Sequence, residues 1–387
     1  MLKPANRVAE SVTFHAIEFA KKAQLLRESG RDIVSLSIGE PDFTAPPLVC
    51  ETLVKATQSG LSGYSATLGL EPLRMCIADY YNEQFGTNIN HNQILVTTGA
   101  SGGLLLAAQT LLNPGDEVLM PDPYYPANYN FILTAGASTK LIPCTAEERF
   151  QLSAEKIKAN WGPNTRAVLI ASPSNPTGTS ITEEELSKIC KTVKSLGGIV
   201  IIDEIYLGLT YDHQPKSALA IDPDVIVINS FSKYFNMTGW RLGWIIAPEN
   251  LIPAFEKISS SLTICAPTLS QHAAISCFAP ESMAIYEKRR AAFQERRDYL
   301  LPELERLGLH VPVKPDGAFY IYCDISKYSN DSVDFANQLL EKAGVATVPG
   351  LDFGPAHANK MLRLSYATGI EQLKIAIQRL EDYLGEI

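Results

Sequence analysis

The chain has 387 residues, 46% hydrophobic and 19% charged, which is ample material for a core. That length suggests two or three domains, or one large domain with a smaller satellite. A formal net charge of -9, with no basic block or basic amphipathic helix, makes it a poor candidate for non-specific nucleic-acid binding. Seven scattered cysteines form no Cys-x-x-Cys pair, which argues for reduced thiols in a cytoplasmic protein, against a disulfide frame and against a metal (zinc) site. The first residues lack the apolar core of a signal peptide. No run of about 18 uninterrupted apolar residues offers a membrane span.

Apolar positions at helical spacing predict a helix over 13–29, ending at Gly30. A short strand over 33–38 runs into the turn-forming loop Gly39-Glu40-Pro41-Asp42. Helices over 47–60 and 71–85 flank a Gly/Ser-rich loop that carries Tyr64. From residue 94 the pattern alternates. Strands over 94–98, 117–120, 166–171, 198–202 and 225–229 are interspersed with helices over 99–112 and 182–195, and 242–247 offers one more strand. This order predicts an α/β large domain with a mainly parallel central sheet flanked by helices. A long amphipathic helix over 281–307 follows, then strands over 318–323 and 361–366 with helices over 332–343 and 370–384. That is an α+β pattern. The expected division is a large domain over 46–284 and a small α+β domain built from both termini, 1–45 and 285–387.

Four features fall at strand ends, where open α/β sheets bind ligands. Gly99-Ala100-Ser101-Gly102-Gly103 opens a helix, an anion-binding position that lacks the Walker A ending. Ser174-Asn175-Pro176-Thr177-Gly178 frames one amide rigidly, with a cis bond expected at Asn175-Pro176. Asp203 directly follows an apolar strand, and such a carboxylate needs a positive partner; Tyr206 lies three residues on. Finally, Ser230-Phe231-Ser232-Lys233 ends a strand, with Arg241 eight residues later. An amine for a carbonyl, an acid for a ring nitrogen, a phenol and an amide for a ring oxygen, and donors for a phosphate together describe pyridoxal 5'-phosphate.

These motifs, in this order along nearly the whole chain, resemble the class I/II aminotransferases, fold type I pyridoxal-phosphate enzymes of the aspartate aminotransferase superfamily. The resemblance implies that Lys233 forms a Schiff base and moves the proton, and that Asp203 holds the pyridine nitrogen protonated. It implies that Asn175 and Tyr206 bind the ring oxygen and that Tyr124 stacks on the ring. Ala100, Ser101, Ser230, Ser232 and Arg241 would hold the phosphate, and Tyr64 would reach the partner's site in a homodimer. Arg363, helped by Gly39 and Asn175, would take the substrate α-carboxylate.

The implied reaction is a ping-pong transfer of an amino group from an L-amino acid to a 2-oxo acid. No lysine stands in Gly99–Gly103 and no cation in 261–271, so the donor is expected to be neutral, aromatic or aspartate rather than strictly aspartate. Thr13, Phe14, His15 and Tyr320 are candidates for the side-chain pocket. The alternatives are a carbon–sulfur β-lyase on the same fold, and a regulator that only binds the cofactor. An intact Lys233 counts against the regulator.

Overall fold

The computed structural model describes residues 2–386. Seven strands form the central sheet in the order Ile94–Thr97, Gly243–Ile246, Ile226–Ser230, Ile199–Asp203, Thr165–Ala171, Glu117–Asp122, Ser138–Pro143. Gly243–Ile246 runs antiparallel to both neighbours, and all other pairs are parallel. The expected α/β architecture with a mainly parallel sheet is therefore present. Alternation along the strands divides the core between two faces. Val200 and Ile202 join the cluster on one face, with Val168, Val227 and Trp244. Ile201 joins the other, with Leu169, Ile228 and Ile245, beneath helix Gly99–Leu111.

Segments from both ends of the chain pair outside the central sheet. Val34–Ser35 pairs in parallel with Val345–Ala346. Met361–Ser365 lies between Val348–Pro349 and Tyr320–Asp324 in an antiparallel sheet. Helix Pro280–Arg306 carries two buried arginines, each tied to a loop: Arg296 grips Asp42 and Arg297 grips Asp212.

Three local expectations change. The strand expected over 33–38 is only two residues long, because the chain leaves the sheet to reach Gly39. Ser138–Pro143 is a strand that the pattern did not announce. It lies at the sheet edge, where half-exposed Thr139 and Lys140 replace the apolar run of an inner strand. The helix expected over 332–343 is α-helical for Ser332–Gln338, then widens into a π-helical turn, Leu339–Ala343, closed by Gly344. Among the described residues no helix is long and apolar enough to cross a membrane.

Candidate active site

The ends of three central strands, residues 14–24 and 37–40, Tyr320 and Arg363 enclose a cavity of about 810 Å³. Lys233 enters it from the loop after Ile226–Ser230. Its Nζ donates to the Gly39 carbonyl at 2.5 Å, and it lies 6.0 Å from the Phe319 ring centre. Burial lowers its pKa to about 8; Glu40 opposes the shift, while Arg241 and Arg363 add to it. A much larger share of the amine is therefore uncharged near neutrality than at the ordinary value of 10.5, as a nucleophile requires.

Asp203 ends the adjacent strand and is 6% exposed. Its carboxylate accepts one backbone N–H, from Ile205 at 3.0 Å. Burial pushes its pKa up to about 6, against the pull of that N–H and of Lys233. An acid this poorly compensated, facing a cavity, is suited to a cationic guest. Tyr206 and Tyr320 share a hydrogen bond between their hydroxyls at 2.8 Å.

Arg363 is 2% exposed on strand Met361–Ser365, where Leu362 and Leu364 point the other way into the core. Its Nη1 donates to Asn175 Oδ1 at 2.9 Å and its Nη2 to the Ser37 carbonyl at 2.8 Å. The guanidinium stacks over Tyr320 at 4.4 Å and Phe353 at 5.0 Å. Its Nε is buried with no partner. The Asn175–Pro176 bond is cis, as are Ser172–Pro173 and Asp122–Pro123.

An anion cradle lies at the start of helix Gly99–Leu111. Gly99 has φ +76, and a Cβ there would come 2.7 Å from Arg241 Nη2. A Cβ on Gly243 would lie 2.7 Å from Asn229 O and 2.9 Å from Ala100 N. Both positions require glycine for close approach. Arg241 itself holds a left-handed φ of 53, and its Nη1 donates to Thr238 O at 2.8 Å. Such a conformation in a non-glycine residue is sustained by its surroundings, and it clusters at functional sites. Ala100, Ser101 and Ser232 complete the cradle.

Lys233, Asp203, Tyr206, Asn175, Ala100, Ser101, Ser232, Arg241, Arg363 and Gly39 thus share one cavity. Three expected residues stand elsewhere. Tyr124 is buried in the core against the sheet, and its neighbour Tyr125 lines the cavity instead. The turn from strand Glu117–Asp122 into helix Pro126–Thr134 decides which of the two rings faces out. Ser230 lies behind the wall, where it donates to Leu242 O and accepts from Ser232 N. Tyr64 is 81% exposed, outside its own chain's cavity. Of the pocket candidates, Phe14 and Tyr320 line the wall; Thr13 and His15 do not. Helix His15–Glu28 supplies Ala16, Ile17, Ala20, Lys21 and Gln24 from one face. The i, i+4 spacing of those residues was the available signal. Glu40 also reaches the cavity, where it accepts a hydrogen bond from the Thr238 hydroxyl.

The family model for aminotransferase class I and II matches residues 31–380. The chain belongs to that family. The valine–pyruvate aminotransferase of Mycobacterium tuberculosis is 39% identical over 355 residues, covering 91% of each chain. The aspartate aminotransferase of Thermotoga maritima is 34% identical, covering 98% of this chain and 99% of that one. The crystal structure of an aminotransferase from Mycobacterium tuberculosis superposes with a TM-score of 0.96 at 36% identity, over the whole of both chains. This aminotransferase therefore has the fold type I architecture and is an enzyme, a transaminase. The relatives are named for amino-group transfer, so the carbon–sulfur lyase alternative is not favoured.

Proposed function

We propose that this aminotransferase binds pyridoxal 5'-phosphate in the 810 Å³ cavity and prefers an amino donor with an apolar side chain. The residues fit the cofactor. A phosphate matches the cradle of Arg241, Ser101, Ser232 and the helix start, where any Cβ on Gly99 would collide with the guanidinium. A protonated pyridine nitrogen matches the buried, under-compensated Asp203. Tyr125 supplies a flat wall, and Asn175 and Tyr206 supply polar groups for the ring oxygen.

When bound, the cofactor supplies an aldehyde for the amine and a ring that takes up electron density. The remaining work falls to this chain. Lys233 Nζ, uncharged once it loses its proton near pH 8, would be the amine that holds the cofactor through its aldehyde carbon, and the base that would accept and return the substrate Cα proton. Asp203 holds the ring-nitrogen proton in place. Arg363 grips the substrate α-carboxylate with its two Nη groups, and stacking on Tyr320 and Phe353 fixes its plane.

The donor preference rests on one observation: the cavity that holds Arg363 is also lined by the apolar Phe14, Ile17, Ala20 and Ile38. Glu40, which lines the same cavity and whose charge is felt by Lys233, would repel a short second carboxylate. Lys21, one helical turn beyond Ile17, favours a second class, a long dicarboxylic acid that reaches the mouth. In the test, holoenzyme is mixed with single amino acids, and loss of the cofactor's near-visible band is followed at fixed donor concentration. L-valine and L-alanine should convert at least about tenfold faster than L-aspartate, with L-glutamate between them. Fastest conversion by L-aspartate would overturn the preference. The absence of any cofactor band that is lost in Lys233→Ala would overturn the cofactor reading.

A homodimer belongs to the same proposal. Gln271 is fully buried and bonds to Ser65 Oγ, Leu70 N and Ala266 O, so it holds the Tyr64 loop beside 262–266. Leu61, Tyr64, Leu262 and Ile264 are all exposed there. An apolar surface of this kind fits a second copy of the chain, with Tyr64 directed to the partner's cradle. Seven unpaired thiols support a reducing, cytoplasmic setting.

A further inference from the structure

Asp203 and Lys233 sit at the ends of neighbouring strands, and both strands are anchored on the far side of the sheet. Glu204 follows Asp203 and turns away from the cavity that Asp203 faces. It is 1% exposed. Its carboxylate accepts from Ala218 N at 2.7 Å, from Ser217 Oγ at 2.9 Å and from the Tyr81 hydroxyl at 3.3 Å. Its own N–H donates to the Ile228 carbonyl at 2.8 Å, on the strand that leads to Lys233.

The chain of contacts continues from Tyr81. Asn229 Nδ2 donates to the Tyr81 hydroxyl at 2.7 Å, and Asn229 Oδ1 accepts from Ser230 N at 2.7 Å. Ser230 Oγ accepts from Ser232 N at 3.0 Å. Ser232 and Lys233 then enter the cavity. Glu204, Tyr81, Asn229 and Ser230 are each at least nine-tenths buried, and every link is satisfied. A buried polar network of this kind is stiff, because any broken link strands a desolvated group.

We propose that Glu204, Tyr81 and Asn229 are positioning residues: a hydrogen-bonded brace behind the sheet that fixes the spacing between Asp203 and the Ser232–Lys233 loop. The inference rests on the cofactor reading, since that spacing matters because one rigid ring must meet both the acid and the amine. A misplacement of about 1 Å at such a site lowers the rate by about 100-fold in general. The two links made by Tyr81 join segments far apart in the chain: Tyr81 lies 123 residues from Glu204 and 148 from Asn229. The brace is therefore tertiary and belongs to neither strand alone.

The test uses holoenzyme carrying Tyr81→Phe, which keeps the ring and removes the hydroxyl. Thermal unfolding, kcat, KM and a spectrophotometric pH titration of the lysine-bound cofactor are measured together. The expected result is a titration midpoint moved by about half a unit or more and a kcat lowered about tenfold. KM for the donor stays within about twofold, because Arg363 is untouched. Glu204→Gln, which keeps an oxygen for Ala218 N and a polar partner for Tyr81, should retain most of the wild-type behaviour; Glu204→Leu should not. If Tyr81→Phe does not fold, Asn229→Ala severs the same chain from the other side and is read in the same way. A variant that loses thermal stability but keeps the wild-type midpoint and kcat overturns the brace alone. A wild-type protein with no cofactor band overturns the cofactor reading, and the brace with it.

Discussion

Asp203 is a residue whose proposed role works against the stability of the cofactor-free fold. Its ordinary pKa is 3.8, and burial raises it to about 6. The folded chain therefore binds this proton more tightly than the unfolded chain. The stabilising contribution is complete below about pH 4 and is lost as pH rises through 6. Asp203→Asn removes the buried charge and keeps the shape. Cofactor-free Asp203→Asn should be more stable than wild type by about 3 kcal/mol at pH 8, with the gap closing toward pH 4. Its transaminase activity should fall at least about 100-fold. Urea unfolding of the cofactor-free proteins at both pH values, with steady-state rates of the loaded ones, checks both halves. Equal stability at pH 8 would mean that Asp203 is already compensated. At this scale the sequence was legible where one strand end carries one chemical group, as at Asp203, Lys233 and Arg241. It was not legible at Tyr124 and Tyr125, where two identical rings are adjacent and only the turn geometry chooses between them.

The elements that carry those residues are held by ties that the pattern of apolar residues does not announce. Helix Pro280–Arg306 reads easily from its spacing, but its two adjacent buried arginines do not. Arg297 is fully buried, and its Nη1 and Nη2 donate to the two Asp212 carboxylate oxygens at 2.8 and 3.0 Å. It also reaches Asp298 and the Pro315 carbonyl. Asp212 lies just after the Tyr206 segment, so the pair links the helix to the site's own loop. Arg297 and Lys314 hold the Asp212 pKa down to about 2. Because the folded value lies below the ordinary 3.8, this stabilisation is present above about pH 4 and is lost as pH falls toward 2. Asp212 is 36% exposed, so solvent screening discounts its strength. Asp212→Asn tolerates the same left-handed backbone at φ 65. It should lower stability by about 1 kcal/mol at pH 7 and converge on wild type as the pH falls toward 3. Urea midpoints at pH 7, 5 and 3 test the sign; a gap that widens in acid contradicts the pairing. The edge strand Ser138–Pro143 teaches the same lesson, since its role comes from pairing with Glu117–Asp122 and its own residues are mixed.

At the scale of the whole molecule, the cavity of one chain contains the expected cofactor and substrate residues except Tyr124 and Ser230, which are buried behind it, and Tyr64, which is exposed on a loop fixed by Gln271. A single sequence marks this loop only as polar and glycine-rich, because in the proposed dimer the meaning of an exposed aromatic depends on a neighbour that the chain does not contain. Shared sites make a quantitative demand. In a mixed dimer, a Lys233→Ala subunit still donates an intact Tyr64 to its partner. A Tyr64→Ala subunit still provides an intact Lys233. One of the two sites is then wild type and the other carries both lesions. Random reassembly of equal amounts makes about half of the dimers mixed, so about a quarter of all sites regain full function. If Tyr64 instead serves its own chain, no site in the mixture is intact, and activity stays at the average of the two separate variants. Purifying both variants, unfolding and refolding them together, and measuring transamination against separately refolded controls decides between these outcomes. Sedimentation of the wild type supplies the mass of the assembly. A monomer with full activity would remove the need for a partner altogether and return Tyr64 to the role of an exposed loop residue.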